Sequence, residues 1–472
     1  MKLVSTRDAG KEGRSYTDVL LAGLAPDGGL YVPDEYPKLT TETLQSLVGK
    51  PYVDVSFAVK KLLVGGAIED DTLRRLIETA YSTEQFVGTE DGNTTPVYSV
   101  GDGFYLQNLS LGPTAAFKDM ALQLLGQEMN YELEKREETL RILGATSGDT
   151  GSAAEAAMKG LERITLFMLS PEIGMSDFQK AQMGMLSGGN IFNVSIRGRF
   201  DDCQDLVKEI KGDPEFADLG AVNSINWGRI SAQVPYYVSG YLQVANEVGD
   251  PVDFVVPSGN FGNVLAAYIA KRMGLPIRRL IVATNENDVL HKLFTTGVYE
   301  LTPAEVTSSP SMDISKASNY ERLVYDILGR DGEKVQKYME TFSRDNKVDL
   351  RDFGLDETAF AEFGFMSGAS SHEKRLEAIR KINDAAGIVI DPHTADGVSV
   401  GHEFFEADEG VPMVSMMTAL SVKFEDTIRE ALGEVPERPV HFEGIEKYIS
   451  DENFEVMDID SEALKAFIRS NS

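Results

Sequence analysis

LSLGPTAAFKD, Leu109 to Asp119, runs a Gly-Pro-Thr turn into the start of a helical pattern and sets one lysine, Lys118, near the helix start. Phe117, Met120, Ala121, Leu124 and Leu125 recur at the i, i+3, i+4, i+7, i+8 spacing of a stripe that faces a core. Lys118 lies one residue off that stripe. A lysine beside an apolar face loses hydration, which disfavours the ammonium form and frees the amine to attack a carbonyl. A lone lysine on a helix is more often simply solvated. The segments around it decide between a surface charge and the covalent anchor of a carbonyl cofactor.

Downstream, Phe254 to Met273 reads as a strand (FVVP), a loop (SGNFGN) and a helix (VLAAYIAKRM). Gly259 and Gly262 let the backbone turn tightly and approach a ligand, and the free amides of the next helix point out at its positive end, as in a phosphate cradle. The loop has neither the Gly-Lys-Ser/Thr of a Walker loop nor the spacing of a dinucleotide fingerprint. An ordinary strand-to-helix turn would look the same. A second loop of this kind, TSGDTG from Thr146 to Gly151, precedes an Ala-rich helix and suits a small anion such as a carboxylate. Asp149 is unwelcome beside an anion, so it is expected to cap the helix or face away.

From Leu140 the rhythm is strand, turn, helix, strand: LRILGA, TSGDTG, SAAEAAMKG and ITLFML make a βαβ unit. Further strands are expected at Ile191 to Ile196, Phe254 to Pro257, Leu280 to Thr284, Ile388 to Ile390 and Met413 to Met417, giving one open α/β sheet or two. Helical spacing over Tyr16 to Leu24, Thr41 to Leu47, Phe57 to Val64 and Asp71 to Tyr81 marks residues 1–93 as a small, mostly helical domain. A hairpin over Thr94 to Gln107 opens the α/β core, residues 94–434, with a smaller subdomain near 115–205 and an insertion near 299–370. Residues 435–472 read as a peripheral acidic tail.

The 472 residues carry 45 Lys plus Arg against 75 Asp plus Glu, a formal charge of -30. That balance opposes an extended basic face for nucleic acid or an anionic membrane, and an anionic ligand needs a locally positive pocket. One cysteine, Cys203, permits no internal disulfide, and five histidines do not suggest a metal site, so no metal is expected. His402 and Glu406 in HEFFE lack the second histidine of a zinc protease, and His393 reads as a turn residue. Without an apolar run long enough to span a bilayer or an apolar leader, the expectation is a cytoplasmic protein.

LGPTAAFKD, ATSGDTGSAA and VPSGNFGN, in this order, resemble the lysine segment, substrate loop and phosphate loop of the threonine synthase family, pyridoxal-phosphate enzymes of fold type II. STRDAGKEGRSYTDVLLAGLAPDGGLYVP, GRFDDCQ, NSINWGRISAQVPYY, SSPSMDI and DPHTADG are also similar to family segments, so the likeness runs from about Ser5 to Phe424. It implies a fold type II α/β core and conversion of O-phospho-L-homoserine and water to L-threonine and phosphate. Lys118 then carries pyridoxal phosphate as an imine, and Ser258, Gly259, Asn260, Phe261, Gly262 and Asn263 surround the cofactor phosphate. Thr418 meets the pyridine nitrogen, while Ser147, Gly148, Asp149 and Thr150 receive the amino-acid end of the substrate. Arg229 and Lys423 are candidates for the departing phosphate, and the active unit is a monomer or homodimer. Two departures touch the site: the family commonly has Phe-His where Ser110-Leu111 stands, and His-Pro where Leu420-Ser421 stands. They keep open another fold type II lyase, such as a hydroxyamino-acid dehydratase or a β-replacement enzyme. A nucleotide-binding protein is the reading from a different class, and it predicts no imine at Lys118.

Overall fold

The structure, a computed structural model, describes residues 1–87, 89, 92–220, 223–406 and 410–471. Two sheets organise it. The larger has six strands in the order Phe365–Ala369, Ile277–Thr284, Val252–Pro257, Met413–Met417, Phe104–Asn108 and Val97–Gly101. All neighbours are parallel except the last pair, the hairpin expected from Gly-Asp-Gly. The smaller sheet has four parallel strands, Glu455–Met457, Ile191–Ile196, Ile164–Pro171 and Leu140–Ala145. Val, Ile, Leu, Phe and Met fill the central strands of both, as parallel strands covered on two faces require.

The helix Lys118–Arg136 is buried on more sides than its stripe implies: Leu122, Gln123, Glu128, Met129 and Leu133 are buried with Met120, Ala121, Leu124 and Leu125. It lies against Asp70–Ala80, Asp149–Met158 and Trp227–Ser231. The N-terminal helices Tyr16–Ala22 and Tyr52–Val64 are tied to it through a buried ion pair, Lys60 Nζ to Glu128 Oε1 at 3.0 Å. Tyr16 donates its hydroxyl to Glu128 Oε2 at 2.6 Å, and Lys60 Nζ also donates to Ser231 Oγ at 2.9 Å.

Four expectations change. Ile388 to Ile390 is no strand; it is a short link between helices His372–Ala386 and Pro392–Glu406, half-buried at Ile388 and Val389 and buried at Ile390, with one isolated bridge from Ile390 to Leu420. Three apolar residues between two helices are too few to choose a strand. The span 299–370 is not all insertion, because Phe365–Ala369 is the edge strand of the large sheet. Within the span, Val298–Glu300 pairs with Lys347–Asp349, and helices Tyr320–Ile327 and Gly332–Asp345 follow an irregular stretch. Residues 435–472 are no loose tail: Glu455–Met457 extends the small sheet beside Ile191–Ile196, and Leu464 and Ile468 of helix Ser461–Ser470 are buried beneath it. Three-residue strands carry too short an alternation to be read locally. His393 occupies the first turn of a helix rather than a turn between elements. No helix among the described residues is long and apolar enough to cross a membrane.

Candidate active site

The candidate residues lie past the carboxyl ends of parallel strands, where open α/β sheets hold ligands. Thr418 follows Met413–Met417, Ser258 follows Val252–Pro257, Thr146 follows Leu140–Ala145, and the lysine segment follows Phe104–Asn108. Backbone bonds stitch the last of these to its neighbour. Leu109 N donates to Met417 O at 3.1 Å, Phe117 N to Thr418 O at 2.8 Å, and Leu420 N to Ala115 O at 3.1 Å. Asp119 then folds back on the turn, accepting from Thr114 N at 2.9 Å and Thr114 Oγ1 at 2.6 Å. A Cβ at Gly112 would sit 2.5 Å from that of Asp119, so only glycine lets this turn close. Lys118, the next residue back, is thereby aimed from the first position of its helix.

The Lys118 amine is largely enclosed and lies 3.3 Å from Asp149 Oδ2. Burial lowers its proton affinity; Asp149 opposes that, and the charges of Lys423 and Arg229 reinforce it, leaving the amine below the usual lysine range. Asp149 neither caps its helix nor faces away, contrary to the reading from anion repulsion. Its Oδ1 meets Lys423 Nζ at 2.7 Å and Gln179 Nε2 at 3.1 Å, and its Oδ2 also accepts from Ser311 Oγ at 3.1 Å. Burial would raise this carboxyl, but Lys118 and Lys423 hold it well below the usual carboxylate range. The attraction of Lys118 and Lys423 is what turns the carboxylate inward.

Arg229 is buried in the short helix Trp227–Ser231, and its guanidinium donates to Asn223 O at 3.2 Å. No carboxylate pairs with it among the described residues, and burial lowers it to about 10. A buried, unneutralised cation is costly unless an anion arrives. Lys423 is fully buried and committed to Asp149 and to Thr114 O at 3.0 Å.

In the loop of Gly259, Phe261 takes a left-handed backbone, φ +64°, immediately before helix Gly262–Met273. Its ring is buried against Phe294, Tyr320 and Phe365, which holds the strained residue and presents main chain rather than side chain to the site. Asn260 O accepts from Asn319 N at 3.2 Å, and its Oδ1 accepts from Ser318 Oγ at 3.0 Å. Ser258 Oγ and Asn263 Nδ2 are buried with no hydrogen-bond partner, while Asn263 Oδ1 accepts from Tyr236 and Tyr237 at 2.5 and 2.6 Å. Orphaned polar groups beside a helix N-terminus fit an anionic group bound there. In the other loop, Thr146 Oγ1 accepts from Gly148 N at 3.0 Å and Gly151 N at 2.8 Å. Ser147 is exposed at its tip, and Thr150 is half-buried.

Thr146, Gln179, Ser311 and His393 carry site geometry without a prior role. His393 Nε2 accepts from Ser311 N at 3.0 Å, and Nδ1 bonds Asp391 Oδ1 at 2.8 Å. SSPSMDI and DPHTADG held these two residues in plain sight as family-like segments, but nothing local shows that they meet. At the two departures, Leu111 packs on the main core and Leu420 on Ala115 and Val422, so both are apolar wall.

The sequence matches the family models described as Threonine synthase N terminus over residues 2–81, Pyridoxal-phosphate dependent enzyme over 92–349, and Threonine synthase, C-terminal over 394–468. It is 48% identical to a threonine synthase of Methylobacillus glycogenes over 99% of both chains. The chain belongs to the threonine synthase family. A threonine synthase of Corynebacterium glutamicum is 47% identical, over 99% of this chain and 98% of the relative. The crystal structure of a PLP-bound threonine synthase from Brucella melitensis superposes with a TM-score of 0.93 at 39% identity, covering 100% of this chain and 99% of that one. As a threonine synthase, the chain has the fold type II α/β architecture, uses pyridoxal phosphate and acts as a lyase on a small molecule.

Proposed function

We propose that the chain converts O-phospho-L-homoserine and water to L-threonine and phosphate, with Lys118 as cofactor anchor. The observation that carries this reading is the enclosed Lys118 amine held opposite Asp149, with Arg229 buried nearby and lacking a carboxylate. Ser258, Gly259, Asn260, Phe261, Gly262 and Asn263 would hold the cofactor phosphate; the unpartnered Ser258 Oγ and Asn263 Nδ2 support this. Thr418, buried at a strand end with its backbone bonded to Thr394 Oγ1 at 3.2 Å, suits the ring nitrogen. A hydroxyl there, unlike a carboxylate, does not strongly favour a protonated ring. Bound pyridoxal phosphate would supply an electron sink for protons leaving the substrate's α and β carbons.

The chain's own residues do the rest. Lys118 Nζ, low in proton affinity through burial, takes a proton from each of those carbons and returns one to the α carbon. Ser147, Gly148, Asp149 and Thr150 frame the amino-acid end, where backbone amides at the start of helix Asp149–Met158 favour a carboxylate. The C–O bond at the γ carbon breaks and phosphate leaves with the bonding electrons, the proton taken from the β carbon is added at the γ carbon, the hydroxyl of water bonds to the β carbon, and the remaining water proton leaves with the phosphate. Arg229 suits the departing phosphate better than Lys423, whose charge Asp149 already neutralises. The lone buried thiol, Cys203, suits a reducing cytoplasm.

The test loads the protein with pyridoxal phosphate, adds O-phospho-L-homoserine and measures phosphate and amino acid together. Equal amounts of phosphate and threonine are expected. Phosphate released with 2-oxobutyrate instead of threonine would transfer the site to the dehydratase reading that Leu111 and Leu420 keep open.

A further inference from the structure

We propose that Asp149 is a fixed counter-ion that positions the Lys118 amine, and that Lys423 holds Asp149 in place rather than receiving substrate. The inference rests on Lys118 as anchor and assigns roles to the two charges beside it.

Both oxygens of Asp149 are occupied, and the partners come from separate parts of the chain. Lys423, in the turn Ser421–Phe424 after the central strand, bonds Oδ1 at 2.7 Å. Gln179, on helix Asp177–Leu186, also donates to Oδ1, at 3.1 Å. Ser311 donates to Oδ2 at 3.1 Å, and its own backbone N–H is held by His393 Nε2 at 3.0 Å. These contacts fix the carboxylate in the side-chain plane that Lys118 meets at 3.3 Å, the longest of the four. A group that had only to bind a passing substrate would not need anchors on three elements. Gly148 keeps the arrangement close, because a Cβ there would fall on the Gln179 amide.

Lys423 is equally committed. Its side chain is 0% exposed, and its second bond is to Thr114 O in the turn that Asp119 closes. An incoming phosphate would have to strip Lys423 from Asp149 and leave that carboxylate buried and facing Lys118 alone.

The charged groups facing Lys118 are Asp149, Lys423 and Arg229. Asp119, adjacent in its helix, is turned to Thr114 and is itself influenced by Lys423. His393 reaches Asp149 only through Ser311. Removing Asp149 leaves Lys118 among two cations and a desolvating wall, all of which favour the free amine. Removing Lys423 deletes a like charge and releases Asp149 to pair with Lys118 alone, which favours the ammonium.

The test is the pH dependence of Lys118 labelling in the full-length, cofactor-free protein, using trinitrobenzenesulfonate at trace extent and peptide mass spectrometry. In Asp149→Asn the midpoint is expected to fall by about one pH unit or more, and in Lys423→Met to rise by a similar amount. Circular dichroism at the labelling temperature establishes that each variant is folded. Opposite shifts support the proposal; an unmoved midpoint in Asp149→Asn, or shifts of the same sign, overturns it. Should Asp149→Asn not fold, Lys423→Met decides alone, because a static or falling midpoint contradicts the counter-ion role. Borohydride trapping of the cofactor on the wild-type chain separates the two readings, since a label on another lysine sinks the anchor whatever the titration shows.

Discussion

Asp119 illustrates how a buried carboxylate can be kept for geometry at a cost in stability. Its two bonds to Thr114 shape the turn ahead of Lys118, yet burial pushes its pKa up to about 6, with Thr114 and Lys423 pulling the other way. A folded pKa above the unfolded one means that stability present below about pH 4 is lost as pH rises through about 6. The span from the ordinary 3.8 corresponds to about 3 kcal/mol. Urea unfolding at pH 4 and pH 7 should therefore show Asp119→Asn gaining on the wild type at the higher pH, while its turnover falls because the turn loosens. Asp149 has the opposite sign: its depressed pKa contributes stability above the unfolded value that vanishes only in strong acid. Gly259 makes a different prediction. A Cβ there would lie 3.1 Å from Met312 Cα and 3.2 Å from Ile314 Cδ1, so Gly259→Ala should push the loop off SSPSMDI and weaken cofactor binding about tenfold or more, read by equilibrium dialysis. Legibility at this scale follows locality. Lys118 and the glycines of SGNFGN and TSGDTG stand out because helix starts and tight turns make demands within a few residues. Gln179 and Ser311 do not, because they reach Asp149 from distant positions and each alone looks like an ordinary polar residue; Lys423 is legible as a cation close to Thr418 but not as the partner of Asp149.

Among the elements, the helix that begins at Lys118 is fastened at its start and again at its middle. Its N-terminus is stitched to the strand end at Thr418, and further along Glu128 takes the buried Lys60 ammonium between Tyr16 and Ser231. Ser231 lies two residues after Arg229, so one buried cluster joins the N-terminal helices to both cationic elements of the site. Lys60→Met alone should cost about 3–5 kcal/mol in unfolding free energy, because it strands Glu128. The double variant Lys60→Met, Glu128→Leu should recover most of that stability, as measured by chemical denaturation. The strand Glu455–Met457 matters in another way. It covers the edge of Ile191–Ile196, and Leu464 and Ile468 close the core beneath, so truncation after residue 434 should expose that edge and cause aggregation, visible by light scattering. The βαβ unit from Leu140, the hairpin and the central strands were readable because each has several alternating or apolar residues in a row. The strands of three residues, and the strand Phe365–Ala369 arriving late after a long excursion, depend on partners that no local window contains.

For the whole molecule, the formal charge of -30 surrounds a buried cluster in which Lys118, Lys423 and Arg229 face one deprotonated carboxylate. Placing cations in the interior of an acidic protein lets a small dianion be selected by the site rather than by the surface. Both sheets contribute: Asp149 follows a strand of the smaller, while Thr418 and the Gly259 loop follow strands of the larger, and the lysine segment enters between them. The central claim is that this convergence makes Lys118 the cofactor anchor. Its most direct test is to reduce the pyridoxal-phosphate-loaded protein with borohydride, digest it and locate the retained pyridoxyl group by mass spectrometry. One group per chain on Lys118, absent from a folded Lys118→Ala variant, is the expected result. A group found on Lys423 or on any other lysine, or one that survives in Lys118→Ala, would contradict it.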